Sequence, residues 1–109
     1  MNNKRRKEIL NVINRIELKI SAENLSAEFI KQENNVISNI LFDEEEAFEN
    51  MPESLQGSER GDISQEAQDN LRCAIDALDE AGSCLSEDNL DGVIDALEEA
   101  IICLEDACE

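Results

Sequence analysis

The C-terminal stretch LDGVIDALEEAIICLEDAC, residues 90–108, decides the fold class. Leu90, Ile94, Leu97, Ile101, Leu104 and Cys108 recur at steps of four and three, which lays them along one side of a 3.6-residue helix. Working back, Ala67, Leu71, Ala74, Leu78, Ala81 and Leu85 repeat the spacing. The first half does the same with Ile9, Ile13, Ile16 and Ile20, then Leu25, Phe29, Val36 and Ile40, flanked by Ile37, Leu41 and Phe48. No stretch alternates with period two, so the chain is expected to be all-α.

Three places interrupt the periodicity. NMPESLQGSERG, residues 50–61, holds the only proline and two of the four glycines, which no unbroken helix accommodates. Just beyond it, Asp62 with Gln65 reads as a capping box that would start the next helix, with Ser64 as the competing cap. SAENL at 21–25 and SEDNL at 86–90 share one form, in which Ser21 and Ser86 read as helix N-caps followed by acids suited to the positive dipole end. The expected architecture is therefore one domain, residues 1–109, folded as an antiparallel helical bundle of about four segments. A long kinked helical hairpin that dimerises would bury the same stripes. Along the chain this gives a near-neutral helical half (1–50), a loop (51–63) and an acidic helical half (64–109).

Charge carries most of what the sequence says about function. Of 109 residues, 27 are acids, nine are bases and none is histidine, for a net charge of −18. Residues 1–42 hold seven bases and five acids (+2), whereas residues 43–109 hold only Arg60 and Arg72 against twenty-two acids (−20). Such a balance excludes direct docking on nucleic acid or an anionic membrane. With no Trp or Tyr, stacking platforms are excluded as well. The basic start at residues 4–7 is followed by polar residues at regular intervals, and no apolar run reaches the roughly 20 residues of a spanning helix. A cytoplasmic location with reduced cysteines is expected. Catalysis has no support: there is no histidine, phosphate cradle or nucleophile elbow, and no cofactor is implied.

The candidate site is an acidic face. Asp76, Asp79, Glu80, Glu87, Asp88, Asp91, Asp95, Glu98 and Glu99 lie outside the apolar stripes, with Glu105 and Asp106 beyond them. Helix neighbours three or four apart sit about 5–6 Å from each other, so a row of carboxylates can imitate a phosphate backbone and enter a basic groove. Residues 43–46 are a further acidic run that could join it. Ile102 falls on the outward side among these acids, and an apolar contact there would hold a partner that charge has steered in. Cys73 and Cys103 also fall off the apolar seam, at one level of a hairpin turning near residue 88. Two other readings use the same residues: an ordinary solvated surface, and an EF-hand-like calcium loop at 87–98, EDNLDGVIDALE, with Glu87, Asn89, Asp91, Asp95 and Glu98 at ligand positions. Glu at its first position and the absence of a second loop weigh against calcium, and the cysteine spacings of eleven and five do not suit zinc.

The loop at 50–61, preceded by EEEAFE at 44–49 and followed by a Leu/Ala/Glu-rich helix, resembles a group of small acidic helical proteins. These occur in phages, prophages and other mobile elements of Gram-positive bacteria. The resemblance covers roughly residues 44–108 and the basic start; the first half is longer here, around residues 21–35. Similar small acidic phage proteins include anti-CRISPR and anti-restriction inhibitors that block the nucleic-acid channel of an effector nuclease. The resemblance therefore implies a non-enzymatic partner of a basic host nuclease, while a homo-oligomeric structural protein of a phage or mobile element, such as a homodimer, is the alternative.

Overall fold

The structure, a computed structural model, describes residues 1–108. Five helices follow one another: α1 (Asn3–Ala22), α2 (Ala27–Glu49), the short α3 (Glu53–Gln56), α4 (Glu59–Ser86) and α5 (Leu90–Cys108). There is no strand among the described residues. α4 packs along both α5 and α2, and α1 closes the bundle against α5 and α2. The result is a four-helix bundle of 49 × 21 × 18 Å made by a single chain. α4 has 28 residues, about 42 Å at 1.5 Å per residue, and so runs most of the long axis. Because one chain buries all four stripes, a dimerised hairpin is not needed to complete the core.

Both helix breaks come where the sequence placed them, but by a different device. α1 runs through Ser21 and stops at Glu23, whose φ of 54° is left-handed. The Glu23 N–H donates to the Ile20 carbonyl and the Asn24 N–H to the Lys19 carbonyl, the paired bonds of a Schellman stop. α4 ends identically: Asp88 has φ 56°, its N–H donates to Leu85 and the Asn89 N–H to Cys84. Ser21 and Ser86 are thus last-turn residues and not caps. The caps are Ser26, whose Oγ accepts from the Phe29 N–H at 3.2 Å, and Asn89, whose Oδ1 accepts from the Gly92 N–H at 3.1 Å. A stop followed by a fresh cap separates the helices fully, so neither site is a mere kink.

The central segment is also more ordered than a loop. α4 starts at Glu59, ahead of both Asp62 and Ser64, with Ser58 as its N-cap residue. Ser64 is instead buried inside the bundle. The Gln56 side chain donates from Nε2 to the carbonyls of Phe48 (3.0 Å) and Met51 (3.1 Å), holding α3 against the end of α2. Gly61 sits where α4 passes the backbone of α3. A Cβ there would lie 1.9 Å from the Gln56 carbonyl oxygen, so only glycine permits the approach.

The core is led by Ile9, Ile16, Ile37, Ile40, Leu71, Leu78, Leu97 and Leu104, all fully buried. Along the seam between α4 and α5 the buried residues are small: Ala74, Ala77 and Ala81 on one side, Ala96, Ala100 and Ala107 on the other. Small side chains let two helices pack at the short end of the usual 8–10 Å spacing. This corrects the phase expected for α5. Val93, Leu97, Ala100 and Leu104 are its buried residues, with Ala96, Cys103 and Ala107, whereas Leu90 is exposed and Ile94, Ile101 and Cys108 are half-buried. Cys103 therefore belongs to the core, contrary to its expected position off the seam, while Cys73 is exposed.

Candidate partner-binding face

From Cys73 to Cys108 the chain carries eleven acids and no Lys or Arg. All eleven are exposed: Asp76, Asp79 and Glu80 on α4, Glu87 and Asp88 in the turn, and Asp91, Asp95, Glu98, Glu99, Glu105 and Asp106 on α5. The amphipathic pattern causes this directly, since the apolar residues of α4 and α5 turn inward and leave only carboxylates outside. None of the eleven forms an ion pair among the described residues; the pairs present use Glu33, Glu44, Glu45 and Asp69.

Two cysteines mark where acids lie beside the seam of α4 and α5. Cys84 Sγ donates to Glu80 Oε1 at 3.7 Å. Burial raises its thiol pKa, and the charges of Glu80, Glu87 and Asp95 add to the shift. Near the other end, burial pushes Cys103 up to about 11, helped by Cys73, Glu99 and Asp106. Carboxylates from α4, the turn and α5 thus meet around Cys84, whereas around Cys103 those of α5 alone line the seam. Asp79 stands apart, because it accepts from Asn34 Nδ2 at 2.7 Å and faces α2. Ile102 is 53% exposed, in helical step with Asp95, Glu98, Glu99, Glu105 and Asp106.

The charge density can be compared with DNA. From Asp88 to Asp106 the helical rise covers about 27 Å, so the ten acids other than Asp79 supply about one charge per 2.7 Å of bundle axis. One DNA strand carries about one per 3.4 Å and the duplex about one per 1.7 Å.

The acidic run at 43–46 does not extend this face. Glu44 is buried, and Glu45 Oε2 lies 3.0 Å from Arg72 Nη2. The calcium-loop geometry is not formed either: Leu90–Cys108 is helix, so Asp91, Asp95 and Glu98 lie along its outside and cannot wrap an ion. Sequence reasoning missed the two buried carboxylates of α2. Arg15 Nε and Nη2 hold Glu33 at 2.8 and 2.9 Å, joining α1 to α2. Glu44 Oε2 accepts from Ser64 Oγ at 3.0 Å. The signal was available, since Glu33, Ile37, Ile40 and Glu44 fall on one stripe of α2.

Compared with known protein families, curated proteins and solved structures, the chain matches none.

Proposed function

We propose that the chain is a non-enzymatic inhibitor that seats its α4–α5 face in the basic nucleic-acid groove of a host defence nuclease, of CRISPR or restriction type. The observation that carries this reading is the set of ten exposed acids, Asp79 aside, without a cationic partner, at a spacing between that of single- and double-stranded DNA. Like charges three or four residues apart cost about 0.2–0.5 kcal/mol per pair. An acidic surface serving solubility alone would intersperse lysines, as residues 1–42 do. Ile102 supplies an apolar contact toward the C-terminal end of the face, and the resemblance of the loop at 50–61 to phage and mobile-element proteins supports the class of partner. The alternative of a homo-oligomer loses its main argument, because one chain already buries its apolar stripes.

The test is a titration of purified guide-RNA and restriction nucleases with this protein. Inhibition is expected to be competitive with nucleic acid, to weaken steeply between about 0.05 and 0.5 M salt, and to vanish when Asp91, Asp95, Glu98 and Glu99 are replaced by Asn and Gln. Salt-independent inhibition, or full potency in the neutralised variant, would refute the mechanism.

A further inference from the structure

One end of this acidic molecule is lined with cations. A cavity of about 450 Å³ opens where the start of α1 meets α3 and the start of α4, and its wall includes Arg5, Arg6, Arg60, Ser64 and the Met1 amino group. At its base lies Glu44, whose side chain is 2% exposed. Oε2 of Glu44 is satisfied by Ser64, but Oε1 has no hydrogen-bond partner. Arg5 Nε is 3.5 Å from Oε1 and the Met1 nitrogen 3.7 Å, close enough for charge attraction without a hydrogen bond. The Nε atoms of Arg5 and Arg6 are likewise buried and unpartnered. Buried polar groups are almost always paired, with protein, water or a bound ion.

The unmet groups specify their ligand. The unpartnered Nε groups of Arg5 and Arg6, with the exposed Arg60 on the same wall, call for an anion with several oxygens, since the planar fork of Arg matches such groups. The lone Oε1 calls for a donor on the same molecule. Sulfate has the oxygens but no proton near neutral pH, and a phosphodiester has none either. A phosphate that retains a P–OH has both. We infer that this cavity binds a protonated phosphate group, its P–OH donating to Glu44 Oε1 while its other oxygens accept from Arg5, Arg6 and Arg60. This site lies at the end of the bundle where α5 finishes, Arg6 also lining a cleft beside Asp106, and it does not rest on the function proposed for the α4–α5 face.

The experiment compares inorganic phosphate, sulfate, phenyl phosphate and a dinucleotide phosphodiester, each titrated to about 10 mM at constant ionic strength near pH 6, where roughly half of a monoester keeps its P–OH. Binding is read by calorimetry and by the NMR shifts of the arginine Nε–H groups. Phosphate is expected to bind and to move the Arg5 and Arg6 signals, while sulfate and the phosphodiester do not. Binding of phenyl phosphate as well identifies a phosphorylated molecule as the natural source; binding of inorganic phosphate alone identifies the free ion. Arg60→Gln, at an exposed position, should weaken phosphate about tenfold. Glu44→Gln should admit sulfate, because its amide can donate where the carboxylate cannot. Should that variant fail to fold, the comparison of phosphate with sulfate on the unaltered protein still decides. Equal binding of sulfate and phosphate, or no movement of the arginine signals, overturns the assignment.

Discussion

Replacing Gly61 by alanine sets helix propensity against a close backbone approach. In the interior of an exposed helix the change favours folding by about 0.8–1.0 kcal/mol. At residue 61 the new Cβ would fall 1.9 Å from the Gln56 carbonyl oxygen, 2.5 Å from its carbonyl carbon and 2.9 Å from its Cα. All three are backbone atoms, so α3 must shift as a unit, straining the Gln56 bonds to Phe48 and Met51. Overpacking costs about 1–3 kcal/mol and each weakened hydrogen bond about 0.5–1.5 kcal/mol. The net expectation is a loss of about 1–3 kcal/mol, or at least about 5 °C in Tm for a domain near 100 residues. Gly82 provides the control on the same helix: a Cβ there meets nothing within 4 Å, so Gly82→Ala should raise Tm by about 3–6 °C. Thermal and urea denaturation followed by circular dichroism measures both. If the two substitutions move stability in the same direction by similar amounts, the argument that contact with α3 requires glycine at 61 is wrong.

Further expectations concern charge, the helix stops and the thiols. Neutralising Asp91, Asp95, Glu98 and Glu99 together should stabilise the fold by about 1 kcal/mol while removing partner binding, since each like-charged pair costs a few tenths; a stability loss in denaturation would contradict this. Arg15→Ala leaves the buried Glu33 without its fork and should cost about 1–2 kcal/mol, discounted because Arg15 itself is 44% exposed. Glu23→Gly relieves a left-handed residue at the end of α1 and should stabilise by about 0.5–1 kcal/mol in the same assay. Cys103, raised to about 11 in the folded protein from an ordinary value of 9.0, holds its proton more tightly folded than unfolded. Its contribution is therefore present below pH 9 and is lost as pH rises toward 11, which denaturation at alkaline pH will show. Thiol labelling should find Cys73 reactive and Cys103 protected at neutral pH.

The helices were legible because their apolar residues recur at three and four. The positions of both breaks followed from the SAENL and SEDNL segments. The mechanism was not visible, because Schellman stops usually announce themselves with glycine, and here Glu23 and Asp88 take the left-handed conformation. The phase of α5 was misread for a related reason. Of its large side chains Leu97 and Leu104 are buried, but Ile94 and Ile101 lie at the margin and Leu90 outside, while alanines and Cys103 fill the seam with α4; a stripe drawn through the large residues alone is set to one side of the true face. Of the candidate face, Asp76 through Glu99 and Ile102 were all exposed as read, but the burial of Glu44 and the pairing of Glu45 needed the third dimension. An acid four residues from an isoleucine looks the same in sequence whether it meets water or Ser64.

Among the described residues, every ion pair draws its cation from Met1, from α1 or from Arg72, the last on the side of α4 that faces α2, while α5 has none. α1 carries six bases against two acids, whereas α2, α4 and α5 are each net negative by five or six charges, so the molecule is an electric dipole with α1 at its positive side as well as a net anion. In the field of a cationic surface it experiences a torque before contact, turning α1 away and the acidic helices forward, and shortening the orientational search that ordinarily holds protein association far below the diffusion limit. Exchanging a lysine of α1 with an acid of α5 would preserve total charge yet blunt that rotation, slowing capture.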